Sequence, residues 1–217
     1  MSAARPAPGE PKRHSRGRFV LYVEGPRDRD ILRAWAFRLS PALAGDIVRS
    51  SVILGGRQPD RAVEHFEAVR ASASPVRAVC VLDRDDLPSE VPAPDGTPGL
   101  EFFTWSRRHI ESYLLVRDAI RRSLRAQGAD PRVSRALDRH VPAVDDEESL
   151  RDIDAKRLLS AQGALARAFG RPLQPGRLAR EMFVGELHPD IRVLFDRMRH
   201  ALRALDASSL TEPTPVD

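Results

Sequence analysis

Glu24, Asp83, Asp85 and Glu111 are the residues of this chain best placed to do chemistry, because each comes soon after an apolar run. Arg18 to Val23 (R-F-V-L-Y-V) ends in Glu24-Gly25-Pro26, and Val76 to Leu82 (V-R-A-V-C-V-L) runs straight into Asp83-Arg84-Asp85-Asp86. Acids gathered without cations repel and raise one another's pKa, whereas a hard divalent cation bound to their oxygens turns that repulsion into attraction. Magnesium or manganese is the natural occupant of such a set. On an extended segment, residues two apart point to the same side, so Asp83 and Asp85 can both reach one metal. Asp86 then points elsewhere or caps the next segment.

Each acid also has a plainer reading. Glu24 can simply end a strand before a Gly-Pro turn. Asp83 to Asp86 can be a loop with a helix cap, and Glu111 a first-turn acid that complements a helix dipole. Their joint placement favours a site over these separate accounts.

The elements that must position the acids can be read from the hydrophobic pattern. Arg18 to Val23 reads as a buried strand, and after the Gly25-Pro26 turn Arg27 to Leu39 places Ile31, Leu32, Trp35, Ala36 and Leu39 on one helical face. Ile47 to Leu54 reads as a second strand closed by Gly55-Gly56, and Asp60 to Ala71 as a second helix with Ala62, Val63, Phe66 and Val69 inward. Val76 to Leu82 is the third strand, a Pro/Gly-rich loop spans Leu87 to Gly99, and Leu100 to Trp105 is the fourth strand. Strands alternating with helices predict a parallel sheet with near-continuous apolar strands. In such sheets ligands bind outside the carboxyl ends of the strands, the rim on which the acids fall.

From Arg108 onward the pattern is helical only: His109 to Gln127, Ser134 to Arg139, Asp154 to Phe169 and Pro189 to Leu205, with polar or Pro/Gly breaks between them. The expected fold class is therefore α/β, a Rossmann-like parallel sheet with flanking helices and a C-terminal helical extension. The expected divisions are a disordered basic arm at 1–17, an α/β core at 18–116, a helical extension at 117–206 and a disordered tail at 207–217.

Composition narrows the class. With 41% hydrophobic and 30% charged residues the 217-residue chain suits a soluble globular protein, and no apolar run approaches the roughly 18 residues of a membrane span. The N-terminus lacks the apolar core of a secretory signal and Cys80 has no partner thiol, which predicts a cytoplasmic protein. The net charge of +4 is located in residues 1 to 18, where Arg5, Lys12, Arg13, Arg16 and Arg18 face Glu10 alone. The body is formally neutral. A basic arm can touch phosphates or remain a solvated tail, so basicity alone decides nothing.

The segments L-Y-V-E-G-P-R-D-R-D, V-C-V-L-D-R-D-D and H-I-E-S-Y-L-L resemble a Toprim domain, in the branch found in OLD-family (overcoming lysogenisation defect) nucleases. The resemblance covers roughly Phe19 to Leu115. It implies that Glu24, Asp83 and Asp85 bind magnesium, that Asp28, four residues after the glutamate, joins them, and that Glu111 in Glu111-Ser112-Tyr113-Leu114 is a further acidic ligand. It also implies a lysine near the metals. Outside the arm Lys156 is the sole lysine in a chain that otherwise uses arginine. A flexible ammonium can approach a scissile phosphate where a planar guanidinium does not fit; chance survival on a solvated helix face is the alternative.

The resulting expectation is a nuclease acting on DNA or RNA, with Glu24, Asp28, Asp83, Asp85 and Glu111 holding two magnesium or manganese ions. Glu24 and Lys156 are the expected catalytic residues. No G-x-x-x-x-G-K-[ST] phosphate loop is present, so the ATPase half of OLD-family enzymes is missing. The resemblance then implies either a defence-system effector with an ATPase partner in trans or a stand-alone enzyme, and a homodimer stays open. A non-cleaving Toprim module that binds metal and nucleic acid is the alternative. An aspartyl-phosphate phosphohydrolase, with Asp83 as nucleophile, fits less well, because that family carries Asp-x-Asp on its first core strand. His109, His140 and His188 match no ligand spacing and read as structural. Arg107 and Arg108, beside the acids, are candidates for phosphate contact or for a surface role.

Overall fold

A computed structural model describes residues 18–73, 75–87, 97–125 and 130–209. The basic arm at 1–17, the middle of the Pro/Gly-rich loop, Gln127 and the last residues of the tail lie outside these.

The sheet has four parallel strands in the order β2-β1-β3-β4. They are β1 (Arg18–Val23), β2 (Ser51–Ile53), β3 (Val76–Leu82) and β4 (Leu100–Thr104). β1 and β3 are adjacent and in register from Arg18↔Val76 to Val23↔Val81. Alternation along the strands splits the core in two. Phe19, Leu21, Val23, Val79, Val81 and Phe103 face one side, while Val20, Tyr22, Ala78, Cys80, Leu82 and Phe102 face the other. The second side is closed by Phe66, Ala62 and Val69 of α3 (Pro59–Ser72). The first side is covered by α1 (Pro26–Leu39), α2 (Pro41–Ser50) and the long C-terminal α10 (Pro189–Ser209). Burial on both faces explains why β1 and β3 read as continuous apolar runs.

The expected second strand, Ile47 to Leu54, is corrected. Ile47 to Ser50 completes α2, and pairing with β1 is confined to Ser51–Ile53. Pro41 opens that helix at its first turn, and Leu43, Ala44 and Ile47 bury one helical face. The local β-branched residues yield to this period of three and four.

The helical half is more broken than its pattern suggested. The stretch expected as one helix from His109 is a 3-10 turn, Ile110–Leu114, and then α4 (Arg117–Leu124). α5 covers Pro131–His140, and Glu147–Asp152 forms an unanticipated α6 capped by Asp146. The expected Asp154 to Phe169 helix is split into α7 (Ala155–Leu159) and α8 (Ala164–Phe169). At the split, a Cβ on Gly163 would lie 2.3 Å from the Leu158 carbonyl oxygen, so only glycine allows the chain to turn there. α9 (Pro175–Glu181) precedes α10, which runs through Ser209, past the expected end of the extension at 206. One apolar cluster runs from Phe19 through Leu115, Ala119 and Leu178 to Leu205, so packing is continuous across residues 116 and 117.

Candidate metal and phosphate site

In a sheet of order β2-β1-β3-β4 the connections leave β1 and β3 in opposite directions, so the crevice at a topological switch point opens between the ends of these two strands. Glu24 comes directly after β1 and Asp83 directly after β3, both buried. The Asp83 N–H donates to Glu24 Oε1 at 2.8 Å, which joins the two strand ends at the crevice. The Glu24 backbone is fixed from the other side. Gly55 and Gly56, with φ of +85° and +125°, donate their N–H groups to the Glu24 carbonyl at 2.9 and 3.0 Å. Positive φ is why glycines stand at both positions.

The remaining candidates converge on the same rim. Asp28, in the first turn of α1, accepts from the Gly25 N–H at 2.8 Å. Asp83 Oδ1 accepts from the Ile110 N–H at 2.8 Å, and Asp83 Oδ2 lies 2.6 Å from Lys156 Nζ. Glu111, 1% exposed in the 3-10 turn, faces Arg27 at 3.4 Å through Oε1. Its Oε2 is buried without a hydrogen-bond partner among the described residues.

Asp85 arrives by a different route from the one its spacing suggested. The backbone is not extended there: Asp85 has φ of +54°, a left-handed turn held by its N–H donating to the Arg108 carbonyl at 2.9 Å. Its carboxylate meets His109 Nε2 at 3.6 Å. Asp86 points away, in an ion pair with Arg108.

The charges explain one another. Burial, with repulsion from Asp83 and Asp85, pushes the Glu24 carboxyl up to about 7, against the opposing pull of the Asp83 N–H and Lys156. Burial and repulsion from Asp83 and Glu111 push Asp28 up to about 7 as well. Glu111 is raised by burial and by Asp83. Burial alone would depress Lys156, but Asp83, Glu111 and Glu24 outweigh it and hold the ammonium at about 12. One lysine thus serves several acids. Among the described residues no three His, Cys, Asp or Glu side chains already converge as a finished metal cage. The donor set nonetheless fits a hard divalent cation: carboxylate oxygens, an orphaned buried oxygen on Glu111, and acids held near 7 partly by mutual repulsion.

His109, read as structural from its spacing, is the residue the sequence pattern missed. Its ring is buried between Asp85 and Asp154, with Nδ1 4.0 Å from Asp154 Oδ1. Burial and Lys156 lower its pKa, while Asp83, Asp154 and Asp85 pull the other way. Asp154 caps α7, which carries Lys156, so His109 links the Asp83–Asp85 turn to that helix. Position was the signal: His109 stands two residues before Glu111.

Arg107 is not a free phosphate contact. It is buried and forks onto Glu147 at 2.9 and 2.6 Å, over the Tyr113 ring.

The fold and rim define the class: an α/β protein with a parallel sheet and a carboxylate cluster at its switch point. No family model matches the chain, and no curated protein matches it. It is similar in structure to the C-terminal region of the Burkholderia pseudomallei OLD protein, at 20% sequence identity and a TM-score of 0.48, over 86% of this chain and 98% of that one.

Proposed function

We propose that the chain is a divalent-metal-dependent nuclease of Toprim type, hydrolysing phosphodiester bonds of DNA or RNA. The observation that carries this reading is the set of buried acids at the β1/β3 crevice, with Lys156 standing on Asp83. Glu24, Asp28, Asp83, Asp85 and Glu111 would hold magnesium or manganese, two ions in the full reading. When bound, the ions supply activation of water and stabilisation of the leaving oxygen.

The protein's own groups do the rest. The Asp83 and Ile110 N–H groups fix the Glu24 and Asp83 carboxylates before any ligand arrives. Glu24 accepts the proton of the attacking water, and Lys156 offsets negative charge developing on the phosphorane. With a cation on Asp83, the Lys156 ammonium would be free to pair with the phosphate. In this reading the protein works in the cytoplasm as a defence effector, with an ATPase supplied in trans. Among the described residues no helix is long and apolar enough to cross a membrane.

A second reading keeps the fold without cleavage: a regulatory Toprim module in which Lys156 neutralises Asp83 permanently. The 2.6 Å ion pair favours it to the extent that the lysine already occupies a cation's place. Plasmid nicking in magnesium or manganese, with the wild type beside Glu24→Ala and Asp83→Ala, separates the two. Nicking by the wild type alone supports the nuclease; equal traces from all three overturn it. Affinity capture from the native host tests for the ATPase.

A further inference from the structure

Away from the acidic rim, a groove of about 780 Å³ runs between α1 and α9, and Asp30, Arg33, Phe37, Arg38, Arg177 and Arg180 are among its lining residues. The side chains of Arg33, Arg177 and Arg180 make no ion pair or hydrogen bond among the described residues. The arginines of the rim differ: Arg27, Arg84, Arg107 and Arg108 pair with Glu111, Asp152, Glu147 and Asp86. Asp30, the acid on the groove wall, faces Arg29 at 3.5 Å. Arg38 donates to the Arg180 carbonyl and so ties the two helices together. Unpaired cations lining one groove repel, and an anionic partner relieves that repulsion.

Two further features select the partner. Guanidinium forks match phosphate oxygens through paired N–H donors. Phe37, 65% exposed on the same wall, offers an aromatic face where a solvated helix would carry a polar residue. Phosphates with accessible base faces belong to a single strand, because a duplex hides its bases in the stack. We propose that this groove binds single-stranded nucleic acid, with phosphates on Arg33, Arg177 and Arg180 and a base against Phe37. The assignment rests on the nuclease reading for its direction. α1 begins at the rim, and Arg33 lies about 7.5 Å and Phe37 about 13.5 Å along the helix axis beyond Asp28, so a strand in the groove is led towards the acids.

The test is fluorescence anisotropy of the full chain with a labelled oligothymidine and a duplex of equal charge, in EDTA so that no cleavage occurs. Arg33→Glu/Arg177→Glu/Arg180→Glu is expected to weaken single-strand binding about 10- to 100-fold near 0.1 M salt and to lower the salt slope by about 2. The Arg→Gln triple variant, with its fold checked by circular dichroism, should show a smaller loss in the same direction. Phe37→Ala should weaken the single strand by roughly tenfold and the duplex hardly at all. Unchanged binding by both arginine variants, or an oligoglutamate of equal charge binding as tightly as the oligonucleotide, overturns the proposal. Loss of binding in the arginine variants with no nicking by the wild type would instead leave the groove standing and the nuclease reading fallen.

Discussion

Lys156 Nζ stands 2.6 Å from Asp83 Oδ2, so the body's sole lysine meets a buried acid that also receives the Ile110 N–H. Lys156→Gln removes that counter-charge. The metal-free protein is expected to lose about 1–3 kcal/mol, below the usual loss for a fully buried pair because Lys156 is part-exposed. The same change removes a competitor for Asp83, so manganese affinity should tighten, read by calorimetry, while nicking slows. Weaker manganese binding in this variant would count against Asp83 as a ligand.

The acids also set a pH dependence. Glu24 and Asp28 sit at about 7 in the folded protein, against about 4 for such groups in an unfolded chain. The native state therefore holds protons that the unfolded chain has released, and stability of the metal-free protein falls as pH rises from about 4 through 7. Melting curves in EDTA at pH 5, 6, 7 and 8 should descend in that order. Manganese should flatten the series by favouring the ionised acids.

Glu111 carries an oxygen with no hydrogen-bond partner and is pushed upward by burial and Asp83. Glu111→Gln relieves that repulsion, so the melting temperature in EDTA at pH 8 is expected to rise by about 2–4 °C, the equivalent of ~1 kcal/mol. Nicking should fall by about 100-fold or more. A stabilised, inactive variant is the signature of a residue kept for function.

Tyr113 holds the 3-10 turn that carries Glu111. Its hydroxyl donates to Asp190 Oδ2 and accepts from the Arg107 N–H at 3.1 Å. Tyr113→Phe should cost about 1–2 kcal/mol. It should also reduce nicking although the residue touches no acid of the rim. Nicking unchanged at a lowered melting temperature would make Tyr113 a stability residue alone.

Much of this architecture was legible in the chain because its strongest signals are local. β1 and β3 are buried on both faces, so their apolar runs end where the strands end, and the acids just beyond them fall at adjacent strand ends. The parallel sheet with flanking helices was expected and is present. The misread parts depended on competition or distance. Ile47 satisfied both a strand pattern and the helical face it joins. The turn at Asp85 is set by a bond to Arg108, which no spacing rule registers. His109 acquires its neighbours Asp85 and Asp154 through folding across 24 and 45 positions, and Arg107 its partner Glu147 across 40.

The order in which the rim's parts occur along the chain gives the Lys156–Asp83 pair a meaning for biosynthesis. During translation every acid of the cluster, from Glu24 to Glu111, leaves the ribosome before Lys156 does. A nascent or truncated chain ending before α7 carries the carboxylates at the sheet edge without their ammonium. Neutralisation of the buried Asp83 is thereby tied to synthesis of the helical half, and the sheet edge gains its counter-charge only after all its acids have been made.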